Sequence, residues 1–97
     1  MDNYERALDS VYFALSDPTR RAIVERLVEG PASVSELAAP FKLALPSLMK
    51  HLRVLERCDL IGSRKLGRTR HCTLNAGVLQ TASTWLGGRL RALGSAR

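Results

Sequence analysis

Apolar residues recur at helical spacing four times along this chain before the period changes. Between residues 4 and 15, Tyr4, Leu8, Val11 and Leu15 fall on one face and Phe13 on the opposite one. That spacing predicts a first helix buried from two directions. Asp17-Pro18 opens a second, because Asp accepts free backbone N–H groups and Pro suits the first helical position. Its apolar stripe is Ala22, Ile23, Leu27 and Val28, and Gly30-Pro31 ends it. Ser33-Val34-Ser35-Glu36 is a capping box, starting a short third helix with Val34, Leu37 and Ala38 inward, which ends near Pro40. Pro46 opens a fourth, where Leu45, Leu48, Leu52 and Leu55 form a narrow seam.

After Asp59 the pattern becomes extended. Leu60–Leu66 and Thr69–Leu74 read as two strands about a Gly67-Arg68 turn, with Arg70, Cys72 and Leu74 on one face of the second. Asn75 then caps a last helix running to about Leu93. Val78, Leu79, Ala82, Trp85, Leu86, Leu90 and Leu93 occupy an arc of roughly 140° on it. Gly87-Gly88 weakens its middle, so a kink or frayed turn is expected there. The result is a mainly α fold of the α+β kind: four helices, a hairpin and a fifth helix. A single domain over residues 1–97 is expected.

Charge sharpens this picture. The stretch from Lys42 to Arg70 holds eight Lys/Arg against Glu56 and Asp59, whereas seven basic and seven acidic residues elsewhere cancel. The whole net charge of +6 therefore sits on the fourth helix and the hairpin. The fourth helix turns Ser47, Lys50, Arg53, Val54 and Arg57 away from its seam, and Arg64, Lys65, Arg68 and Arg70 crowd the hairpin tip. A short helix, a tight connection and a second helix with a basic outer face form a helix-turn-helix pattern. Double-stranded DNA is the expected partner. Ser47, Lys50, His51, Arg53, Arg64, Lys65, Arg68 and Arg70 are the candidate contacts. His51 sits on the flank, where donating to a phosphate and packing between helices both fit. Arg57 also complements its helix C-terminus. For Arg20 and Arg21, phosphate contact competes with packing or solvation.

These segments together resemble the ArsR family of bacterial winged-helix repressors. Leu15-Ser-Asp-Pro-Thr-Arg-Arg21, Leu45-Pro-Ser-Leu-Met-Lys-His-Leu-Arg-Val-Leu-Glu-Arg57 and Gly67-Arg68-Thr-Arg70 carry the likeness, which runs from about residue 4 to residue 86. The resemblance implies a winged helix-turn-helix homodimer joined through its first and last helices. The fourth helix then enters the major groove and the hairpin, or wing, grips the flanking backbone. It also implies repression relieved by an inducer, whose identity the residues do not specify. Tyr4, Leu8, Val11, Leu79, Ala82, Trp85 and Leu86 are the candidate interface, since two apolar terminal helices exceed what a small core absorbs. Ala44 and Met49 depart from the family, which favours hydroxyl residues at both positions.

Other functional classes fit less well. No nucleophile–base pair, paired carboxylates or phosphate-cradling glycine loop is visible, so an enzyme is not expected, nor is a cofactor. Residues 76–93 contain no His, Cys, Asp or Glu, and the fourth helix ends with Cys58 alone, so no metal site is expected. A metal- or thiol-responsive repressor using Cys58 and Cys72 is the nearest alternative; a winged-helix module for an acidic protein is another. Two cysteines suit a reducing cytoplasm, and no segment has the apolar length of a membrane span.

Overall fold

A computed structural model describes residues 2–95. The ends of the expected 1–97 domain, Met1, Ala96 and Arg97, lie outside the described residues. The elements are α1 (Asp2–Ala14), α2 (Pro18–Val28), β1 (Ala32–Ser33), α3 (Val34–Ala38), α4 (Leu45–Arg57), β2 (Ile61–Leu66), β3 (Thr69–Leu74) and α5 (Ala76–Ser95). Three antiparallel strands make one sheet in the order β1-β3-β2. The fold is a winged helix-turn-helix, with α3 and α4 as the helix pair and the β2–β3 hairpin as the wing.

The helix starts follow their caps. Asp17 accepts the Arg20 backbone N–H at 3.0 Å, and Pro18 is the first residue of α2. Ser33 and Glu36 exchange hydrogen bonds as a capping box before α3. The end of α4 is a Schellman turn: Leu60 N–H reaches Leu55 O, Asp59 N–H reaches Glu56 O, and Leu55 and Leu60 are buried together. Asp59 takes the left-handed conformation this turn requires, at φ 58°. Asn75 locks the turn by donating to Asp59 O, and its side-chain oxygen accepts the Gly77 N–H to start α5.

The core collects Val11, Ile23, Leu37, Leu48, Leu52, Leu55, Leu60 and Cys72, so α4 lies at its centre. Around it α1 pairs with α5: Tyr12 donates to Ala82 O at 3.1 Å and meets Trp85 edge-to-face. The molecule is elongated, 54 × 26 × 21 Å.

A second junction rests on Arg20. Its side chain is buried; Nε donates to Ala14 O at 2.8 Å and one Nη to Phe13 O at 3.1 Å. Arg21 donates to Leu15 O at 2.7 Å. Helix-end carbonyls lack partners within their own helix; these guanidiniums satisfy those of Ala14 and Leu15, while Phe13 O also accepts from the Ser16 N–H and hydroxyl. Arg20 is therefore packed into the junction, whereas Arg21 makes its bond at the exposed surface.

Four expectations need correction. The two-residue β1 makes the sheet three-stranded; such a short strand has no periodicity to detect. Leu45 lies one turn beyond the last core layer and is 57% exposed, and Val28, at the end of α2, is exposed too. Helix α5 runs unbroken through Gly87-Gly88. Two glycines cost about 1 kcal/mol each, but this helix is anchored on α1 by the turns before them and continues beyond.

Two stability predictions follow from these junctions. The Arg20 N–H bond holds the Asp17 carboxyl below its usual 3.8, with the His51 ring and the Arg20 guanidinium adding attraction. A depressed folded-state value contributes stability above the unfolded value and loses it as pH falls through the folded one. Asp17→Ala should thus cost about 1 kcal/mol near neutral pH, and its gap to the wild type should narrow below pH 3.8. Arg20→Ala leaves the Ala14 and Phe13 carbonyls without those donors and should cost about 2–4 kcal/mol in urea unfolding. Arg20→Lys should recover only part of that loss, because an ammonium cannot span both carbonyls as the planar guanidinium does.

Candidate nucleic-acid interface

The front of α4 and the wing share one property: their cations stand free. Lys42, Lys50, Arg53, Arg57, Arg64, Lys65, Arg68 and Arg70 are all exposed. Among the described residues, none of the eight has an acidic partner within ion-pairing distance; the pairs that form are Arg26–Glu36 and His51–Asp17. Apart from Arg70, which is hydrogen-bonded to Ser63, these cations can receive phosphates without first breaking a side-chain bond.

Helix α4 is held so that this face points outward. Leu48, Leu52 and Leu55 are buried, which turns Ser47, Lys50, Arg53 and Arg57 to solvent. Ala44 occupies the N-cap with no side-chain hydrogen bond, its own carbonyl receiving Ser47 and Leu48 N–H. The leading end of the helix, Lys42 to Ser47, is exposed at every position.

His51 links two helices: its Nδ1 lies 3.4 Å from an Arg20 Nη and 3.7 Å from Asp17 Oδ2, so the half-buried ring joins α4 to the start of α2.

The wing turns through Gly67, whose φ of 63° is strained for a side-chain-bearing residue. Register sets Lys65 opposite Arg70, two like charges on one face. Arg70 is drawn aside: it donates to Ser63 Oγ at 2.8 Å, and Ser63 donates to Glu56 Oε2 at 3.0 Å. Arginine only donates and a carboxylate only accepts, so the chain has one direction, and it ties the wing to the last turn of α4. Sequence spacing does not reveal this network; an acid retained inside the basic stretch is its only trace. Arg64, Lys65 and Arg68 form no hydrogen bond with another described side chain.

The expected interface residues divide. Val11 is fully buried within the protomer, and Leu8 and Ala82 nearly so; they belong to the α1–α5 core and have little surface to offer a partner. Tyr4, Trp85 and Leu86 remain exposed and Leu79 is half-buried. Leu90 and Leu93 of α5 and Phe13 of α1 are exposed as well. One face of Phe13 lies under the Arg20 guanidinium, and Arg89 stacks on Trp85. Cys72 is buried beneath the sheet and Cys58 half-buried at the end of α4; burial pushes both thiols up. Neither is therefore an activated thiolate near neutral pH.

Residues 15–64 match the family described as "Helix-turn-helix domain". The transcriptional repressor SdpR of Bacillus subtilis is 33% identical over 79 residues, covering 81% of this chain and 88% of that protein. The HTH-type transcriptional regulator Rv2034 of Mycobacterium tuberculosis is 45% identical over 65 residues, covering 67% of this chain and 61% of that protein. Among solved structures, the ArsR family transcriptional regulator RHA00566 superposes with a TM-score of 0.85 at 44% identity, covering 94% of this chain and 93% of that one. The chain belongs to the ArsR family of winged helix-turn-helix transcriptional regulators.

Proposed function

We propose that the protein is a homodimeric repressor that binds a pseudo-palindromic DNA operator. The observation that carries this reading is the set of exposed cations without acidic partners among the described residues: three on α4, four on the wing, and Lys42 just before α4. Ser47, Lys50 and Arg53 face the major groove, and Arg64, Lys65 and Arg68 grip the flanking phosphates. Arg70 mainly positions the wing through Ser63, with His51 supporting α4 from behind. With DNA as its partner, the protein's compartment is the cytoplasm. The relative from Bacillus subtilis carries the name of a transcriptional repressor, which supports the sign of regulation.

Dimerisation follows from the apolar residues that one protomer leaves uncovered. Tyr4, Trp85, Leu86, Leu90 and Leu93 lie on the two paired terminal helices, and a second copy would bury them across a twofold axis. The two α4 helices then sit about one DNA turn apart, roughly 34 Å.

Lys50→Ala and Arg68→Ala should each weaken binding and reduce the slope of log K against log salt by about one. Fluorescence anisotropy with a genomic fragment enriched by cross-linking measures this, and unchanged slopes in both variants would remove the assigned surface. Leu90→Lys, a change at an exposed position, should leave the circular dichroism spectrum intact and yield monomers in sedimentation. It should lower operator affinity at least about tenfold, because two half-sites no longer bind as one unit. A variant that remains dimeric would exclude this face of α5 as the interface.

A further inference from the structure

We infer that the leading end of α4 reads thymine methyl groups in the operator. This inference rests on the DNA-binding function proposed above and specifies what that end of the helix recognises. Leu43 and Leu45 are 41% and 57% exposed, although Leu48, one turn further on, is fully buried. Ala44 and Pro46 between them are exposed as well, and Met49 is half-buried on the same flank as Leu45. The first turn thus presents an apolar tip to solvent at the end of the helix that meets the groove.

That tip has little with which to read a hydrogen-bond code. Ala44 makes no side-chain cap bond, and Pro46 has no N–H. Ser47 is the one side chain between Leu43 and Met49 with a polar group, and the exposed Lys42 and Lys50 flank the tip. Major-groove base edges display N7, O6, O4 and amino groups, all polar, together with one apolar group, the C5-methyl of thymine. Apolar side chains pressed on polar edges would strip their water without replacing the hydrogen bonds, which is unfavourable. Against a thymine methyl the same side chains bury apolar surface. Two leucines flanked by lysines therefore fit a half-site with thymine beneath the first turn of α4.

The test begins with a duplex selected by the full chain from a random library. That duplex is then synthesised with deoxyuridine at each thymidine in turn, which deletes one methyl and keeps every hydrogen-bonding group. Binding should weaken about fourfold at one or two thymines per half-site, the effect of one buried methyl, and stay unchanged elsewhere. Leu45→Ala should bind the thymine and uracil duplexes alike, whereas Lys50→Ala should weaken both by the same factor. Uracil tolerated at every position, with binding still salt-dependent, would overturn the inference and leave DNA binding intact. Failure to select any duplex would overturn both.

Discussion

The buried guanidinium of Arg20 ties three helices, α1, α2 and α4, into one unit. It closes the carbonyl end of α1, lies beside the cap of α2 and approaches His51 on α4. A buried cation is costly unless its donors find acceptors, and here the acceptors are carbonyls that their own helix leaves unmatched. The two needs offset one another. Through this one side chain the end of α1, the start of α2 and the middle of α4 keep a fixed relation.

The distribution of charge follows the same division. Outside residues 42–70 the basic and acidic side chains cancel, leaving the terminal helices free to approach a second copy without net repulsion. Within that stretch the acids have structural duties. Glu56 anchors the wing through Ser63, and Asp59 turns the chain from α4 into β2. The cations they leave unpaired remain available to phosphates. The wing is consequently not a free hairpin but one braced against the last turn of α4.

Much of this was legible in the sequence, because the dominant signals are local. Capping residues marked the starts of α2 and α3, the seam of Leu48, Leu52 and Leu55 fixed the orientation of α4, and Gly67 placed the wing turn. What escaped depended on distance in space. For Arg20 and Arg21 the sequence left phosphate contact, packing and solvation open, because their acceptors lie across a loop. Val11 looked like interface because periodicity marks a face as apolar without saying which neighbour covers it. Leu45 continued the seam in spacing, but the core ends one turn earlier. The two residues of β1 pair with His71 and Cys72, a partnership that no local pattern announces.

The central claim is that two surfaces, the front of α4 and the wing, receive DNA while the paired terminal helices receive a second copy. Amide hydrogen exchange of the full chain, with and without a selected duplex, separates those roles in one measurement. Added DNA should slow exchange at residues 44–53 and 64–70 and leave the outward face of α5 near Leu90 unchanged. Slowing confined to α1 and α5, with the wing and the front of α4 unaffected, would contradict it.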